Sequence, residues 1–154
     1  MIPYTVQTVL DEHKLSALEF SPGSTPTAQL AAEKIGVETG QIAKSILLRG
    51  KDDTYRMFLL AGDRKISSGK VKRLTGVKHS MANAEETREI TGFLPGSVCP
   101  FGVKDIEIYL DGSLKKWDTI YPAAGTDASG VPVSFEQLLA ITNSSEVDVA
   151  TEAT

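Results

Sequence analysis

The sequence predicts a single α+β domain, with a mixed, mostly antiparallel, barrel-like sheet flanked by short helices. Three observations carry this. At 154 residues, with 41% hydrophobic and 23% charged content, the chain fits one domain with a full core. Residues 43–49 and 55–61 are two apolar, strand-like runs joined by the polar loop Gly50-Lys51-Asp52-Asp53-Thr54, which reads as an antiparallel hairpin. Around them lie short segments with their own helix start and stop signals, mixed with brief strands and without an internal repeat.

In chain order, 4–14 places Val6, Val9 and Leu10 on one side of a short amphipathic helix. Residues 17–20 read as a brief strand, broken by Ser21-Pro22-Gly23-Ser24. Thr27 is a natural N-cap for a helix over 28–35, and Gly36 stops it. After the hairpin, Ser68 is read as the cap of a helix through Leu74, ended by Gly76. Asn83-Ala84-Glu85-Glu86 is a capping-box start for a helix through Ile90. A strand follows at 106–110, with a turn at Asp111-Gly112, and weaker strand signals at 119–124 and 130–133. Ser134-Phe135-Glu136-Gln137 opens a last helix through Ile141. The domain is therefore read as 1–142, and the polar, acidic segment 143–154 as a disordered tail.

Composition narrows the function. The net charge of −4 argues against a general nucleic-acid coat. The charge is unevenly spread, because Arg64, Lys65, Lys70, Lys72, Arg73 and Lys78 fall in one stretch with no acid between them. That stretch is a solvated helix face or a phosphate-contacting patch. No apolar run approaches eighteen residues and the first residues show no signal-peptide pattern, so no membrane partner is expected. The single cysteine, Cys99, points to a reducing cytoplasm. His13, His79 and Cys99 have no metal-ligand spacing, and neither a metal nor a cofactor is expected. GxGxxG, P-loop and HExxH patterns are absent.

Chemistry concentrates in two places. The stretch 91–102 holds three glycines and two prolines in twelve residues, too many for a helix or a central strand. Within it Gly96-Ser97-Val98-Cys99-Pro100 spells G-x-x-x-P, a loop rigid on one side and lined by main-chain donors and acceptors on the other. It suits a ligand held by backbone, or serves as an ordinary tight turn. The second place is Lys44, which shares a strand face with Ile46 and Leu48. If that face is buried, a cation without an acid nearby in sequence sits at the rim of an apolar cavity, suited to a phosphate or a polarised oxygen. The alternative is a lysine whose stem lies along apolar surface while its head reaches water. Cys99 has no histidine in a matching context and reads as a small, partly buried loop residue. Asp127 lies in the loop 125–130, read as mobile and able to approach a ligand.

Taken together, the motifs resemble the YbaK/EbsC family, whose domain is also the editing insertion of bacterial prolyl-tRNA synthetases. The resemblance rests on Thr27-Ala28 opening a helix that ends Lys34-Ile35-Gly36-Val37, then Ala43-Lys44-Ser45-Ile46-Leu47. It continues in Gly96-Ser97-Val98-Cys99-Pro100-Phe101-Gly102, in Ala124-Gly125 and in the final helix 134–142. It covers roughly residues 3–142. It implies the editing-domain fold and a freestanding hydrolase that deacylates tRNA mischarged with alanine, cysteine or serine, often on proline tRNA. Lys44, Gly96 and Pro100 then form the implied catalytic set. Thr27, Ser45, Ser97, Val98, Cys99, Phe101 and Gly125 become substrate contacts. The implied partners are the 3′ aminoacyl end of tRNA and an aminoacyl-tRNA synthetase; no oligomeric state is implied. The segment 126–133 is longer than the compact Gly-x-x-Gly turn expected of the family, which leaves the amino acid open among the three. A non-catalytic module that binds tRNA ends or a nucleotide on the same fold is the alternative reading.

Overall fold

A computed structural model describes residues 1–152. Each of its helices is cut to length by its own ends. Helix α1 (Tyr4–Glu12) buries Val6 and Leu10. Helix α2 (Ala28–Ile35) is capped by Thr27, whose Oγ1 accepts from the Leu30 N–H at 3.2 Å, and stops at Gly36 in the left-handed region. Helix α3 (Ser68–Thr75) is capped by Ser67 rather than by the expected Ser68, because Ser67 has the extended backbone a cap requires and accepts from Lys70. Helices α4 (Ala84–Thr91) and α5 (Phe135–Thr142) both begin in the predicted capping boxes, Asn83 with Glu86 and Ser134 with Gln137.

The strands are β1 (Leu18–Glu19), β2 (Ala43–Gly50), β3 (Tyr55–Ala61), β4 (Arg64–Ile66), β5 (His79–Met81), β6 (Glu107–Asp111), β7 (Ser129–Gly130), β8 (Ser145–Val147) and β9 (Ala150–Glu152). Five of them form an open sheet in the order β5-β2-β3-β6-β8. β5, β2 and β3 run antiparallel, whereas β6 and β8 add in parallel. The ribbons β1-β7 and β4-β9 are also antiparallel. The region 119–124 forms only isolated bridges, Ile42 to Tyr121 and Ile120 to Val133.

Alternation along β3 divides the core in two. Met57, Leu59 and Ala61 join the main cluster with Val6, Leu10, Phe101 and Leu138. Phe58 turns to the other face, where it meets Leu48, Val71 of α3 and Val149 and stacks on Tyr109 at 5.1 Å.

The C-terminal segment departs from the expectation of disorder. Residues 145–147 and 150–152 pair with β6 and β4, and Val149 is fully buried between them. The expected boundary at 142 gives way to an ordered chain through 152; residues 153–154 lie outside the described residues. The reason is Asp111. Its buried carboxylate accepts from the main-chain N–H of Val149 at 2.7 Å, Ala150 at 3.1 Å and Ser113 at 2.9 Å. A polar segment is thus held by a distant carboxylate, a buried valine and the Lys70 ammonium rather than by an apolar pattern of its own. Asp111→Ala leaves buried N–H groups unpaired and is expected to cost about 3 kcal/mol. Chemical denaturation reads that loss, and hydrogen exchange should show protection lost first at residues 145–152.

Candidate active site

The start of β2, the first turns of α2 and the 91–102 loop enclose a cavity of about 230 Å³. Aliphatic side chains form most of its wall, among them Ala28, Ala31, Ile35 and Ile42. Thr27 lies on this wall, with its hydroxyl oxygen already engaged in capping α2. Thr25, also on the wall, is held from behind: its N–H donates to the Asp127 carbonyl at 2.6 Å, and its Oγ1 accepts from the Ser129 N–H at 3.2 Å. The Asp127 carboxylate accepts from the Gly23 N–H at 3.1 Å. Asp127 therefore ties the 125–130 segment to 20–25; it is a clamp rather than a mobile arm.

Lys44 pairs in register with Leu60 and turns to the sheet face of Ile46 and Leu48, the side of the Phe58–Val71 cluster. It also lines the cavity. Its Nζ donates to the Arg64 carbonyl at the start of β4. Burial pushes the ammonium below the usual lysine range, and the Asp63 carboxylate acts in the opposite direction. Nothing beside Lys44 in the sequence announces that acid; the β3–β4 turn delivers it. Such a cation, partly stripped of water and without a contact ion pair among the described residues, acts strongly on an anion or a polarised oxygen that reaches it.

The glycine–proline loop divides in two. Gly96 and Val98 stand on the cavity wall. Gly96 has φ +87°, and a Cβ there would lie 3.2 Å from the Pro26 carbonyl oxygen, so conformation and closeness both require glycine. The rest of the loop turns away. The Ser97 N–H donates to the Leu94 carbonyl at 2.9 Å within the turn. Pro100 and Phe101 are buried, Phe101 in the main core. Cys99 is fully buried, its Sγ–H directed at the Phe101 carbonyl, and burial pushes the thiol up to about 12. Gly125 packs against Phe93, Pro3 and Val6, where an added Cβ would come within 2.9 Å of the Phe93 ring.

The structure thus brings together Thr27, Lys44, Ser45, Gly96 and Val98, and places Ser97, Cys99, Pro100, Phe101 and Gly125 off the cavity wall. Sequence reasoning missed Thr25, Ile35, Ile42, Tyr121, Ala123 and Ser129 on that wall. The apolar face of α2 and the weak strand signal at 119–124 were the traces they left. In the basic stretch, Lys70 is tied to Asp148 at 2.9 Å and to the Ala150 carbonyl at 2.8 Å. Lys65, Lys72, Arg73 and Lys78 are exposed.

Comparison with known proteins decides the family. The family model described as the aminoacyl-tRNA editing domain matches residues 22–141. The chain belongs to this family. As an editing domain it is 41% identical over 116 residues to the Bacillus subtilis protein YwhH, described as uncharacterized, covering 75% of this chain and 74% of that one. It is 34% identical over 108 residues to the proline–tRNA ligase of Macrococcus caseolyticus, covering 70% of this chain but only 19% of the ligase. EbsC of Enterococcus faecalis, described as a candidate Cys-tRNA(Pro)/Cys-tRNA(Cys) deacylase, is 22% identical over 149 residues, 94% of this chain and 91% of its own. A crystal structure of a candidate trans-editing enzyme for prolyl-tRNA synthetase superposes with TM-score 0.88 at 32% identity, covering 98% and 99% of the two chains. Among the described residues, no helix of this editing domain is long and apolar enough to cross a membrane.

The burial of Cys99 makes a direct prediction. Iodoacetamide at pH 8 should leave the native thiol unmodified and label it stoichiometrically only in denaturant, as mass spectrometry of the intact protein would show.

Proposed function

We propose that this editing domain acts in trans as a hydrolase that removes alanine, cysteine or serine from the 3′ end of mischarged tRNA, proline tRNA foremost. The observation that carries this reading is a small, largely aliphatic cavity whose charged side chain is Lys44 and whose rim includes the Gly96 backbone. Ester hydrolysis needs the ester held in place and the developing oxyanion stabilised; a side-chain nucleophile is not required. Lys44 holds the 3′ end of the tRNA beside the ester, and the main chain at Gly96 and Val98, the part of the 96–100 loop that reaches the cavity, grips the aminoacyl carbonyl. A water or a hydroxyl of the substrate then attacks. The cavity excludes larger side chains by size, a discrimination of about 1–3 kcal/mol per methylene. Its setting is the cytoplasm, and the relationship to proline–tRNA ligases makes a synthetase a natural partner.

The exposed cations Lys65, Lys72, Arg73 and Lys78 follow Lys44's anchor at Arg64 in sequence, and in this reading they contact phosphates of the acceptor stem. Charge reversal of Lys72 and Arg73 together should raise KM for whole aminoacyl-tRNA and flatten its salt dependence. The rate on a short aminoacylated trinucleotide should stay as in wild type.

The deciding assay is deacylation of proline tRNA charged separately with alanine, cysteine, serine and proline. Wild type should clear one noncognate ester. Lys44→Ala should lose about 100-fold in kcat/KM, the scale of one preorganised electrostatic contact. Unchanged deacylation by Lys44→Ala would overturn the role given to Lys44. Affinity for tRNA without ester turnover would instead favour the binding-module alternative. The lowered pKa of Lys44 adds a pH test. The cation is lost as pH rises through a value below the usual lysine range, so enzymatic turnover, corrected for spontaneous hydrolysis, should fall on that alkaline limb. Lys44→Arg, charged throughout, should lack the limb.

A further inference from the structure

The edge of β2 that faces away from β3 is tied at two points and open between them. The Ala43 N–H donates to the Tyr121 carbonyl at 3.2 Å, and the Leu47 carbonyl accepts from the Ala82 N–H at 3.1 Å. In an antiparallel ladder, alternate residues turn both main-chain groups to the same edge. Ser45 stands midway between Ala43 and Leu47, so its N–H and C=O point to this edge, where no main-chain partner among the described residues meets them. The Ser45 side chain repeats the pattern. Its Oγ is buried, and among the described residues it is the one buried side-chain nitrogen or oxygen without a hydrogen-bond partner.

Ser45 lines the cavity, so its open main-chain edge adjoins the space a ligand would fill, with the buried Oγ on the same residue just behind that surface. A buried hydroxyl left without a partner costs stability, which makes it a poor element of a purely structural wall. Three other wall hydroxyls are already engaged: Thr27 caps α2, Thr25 accepts from the Ser129 N–H, and Ser129 accepts from the Ala124 N–H at 3.0 Å. The wall carries no carboxylate. A cationic group inside the cavity must therefore be met by neutral oxygens. Lys44 does not compete for them, because strand alternation sets its side chain on the opposite face from Ser45.

We propose that the open edge at Ser45 receives the α-ammonium of the esterified amino acid, with the Ser45 carbonyl and Oγ as its acceptors. This inference rests on the deacylase reading for the identity of the ligand. An α-aminoacyl ester carries its ammonium one carbon from the carbonyl, so an ammonium fixed at β2 fixes the ester within reach of the rim. The side chain of the amino acid then falls among Ala28, Ala31, Ile35 and Ile42.

The test is binding of a non-hydrolysable amide analogue, 3′-alanylamino-adenosine, and of its N-acetylated form, measured by calorimetric titration alongside thermal unfolding. Wild type should bind the free-amine analogue and bind the acetylated one at least tenfold more weakly. Ser45→Ala should lose about tenfold for the free amine, the scale of one hydrogen bond to a charged group. It should leave the acetylated analogue unaffected and unfold at the same temperature as wild type or higher. Ser45→Thr, which keeps the hydroxyl, should bind within about threefold of wild type. The inference is overturned if Ser45→Ala binds like wild type, weakens both analogues equally or loses affinity together with stability. It is also overturned if wild type binds neither analogue. Binding as expected by a protein that hydrolyses no ester would overturn the deacylase reading and leave the ammonium site standing.

Discussion

The pairing of β2 with β3 is the constraint on which the rest of the site depends. It runs in unbroken register from Ala43 opposite Ala61 to Arg49 opposite Tyr55. One face of this hairpin closes the main core and the other closes the cluster around Phe58 and Val71. A slip of one residue would exchange the faces, burying Lys44 where Ser45 now stands and turning Leu47 out of its core. Register is therefore enforced by hydrophobic burial on both sides, and the polar residues at the start of β2 inherit their directions from it. The site needs little further machinery because two neighbouring residues of one strand look opposite ways.

The cavity also shows how far a site can be built without ion pairs. Lys44 is kept half out of water, anchored to a carbonyl, and steadied by Asp63 from the next turn. A close salt bridge would have made it more comfortable and less useful, since its field would be spent inside the protein. The Gly96 backbone is brought against Pro26 by a conformation that other residues adopt only under strain. Thr25 is clamped by Asp127 from a segment about a hundred residues away in sequence. Preorganisation here is bought with backbone geometry and desolvation.

Much of the scaffold was legible in the sequence because its signals are local. Thr27 and Gly36, Asn83 with Glu86 and Ser134 with Gln137 mark helix ends through contacts three or four residues apart, and the structure reproduces each. The hairpin carried its own turn. The elements that escaped notice depend on distant partners: β8 and β9 are held by Asp111 and Lys70, both far away in sequence, and by the burial of Val149, and β4 pairs with β9. The same division runs through the site. Lys44 stood out as a cation in an apolar strand, and the 91–102 loop by its glycines and prolines. Which face of that loop meets the cavity was not legible, since Gly96 and Val98 reach it while Cys99 and Phe101 fill the core behind. Composition marks a loop as special without saying which of its sides is exposed.

The ribbon of β9 on β4 links the end of the described chain to the centre of the chemistry. Arg64, whose carbonyl receives the Lys44 ammonium, lies opposite Glu152 in that ribbon. Glu152 thus lies beside the anchor of Lys44 rather than in a remote corner. Tension applied at that end would load the β4 strand before the sheet. Strain in β9 would thereby reach the carbonyl that holds the Lys44 ammonium.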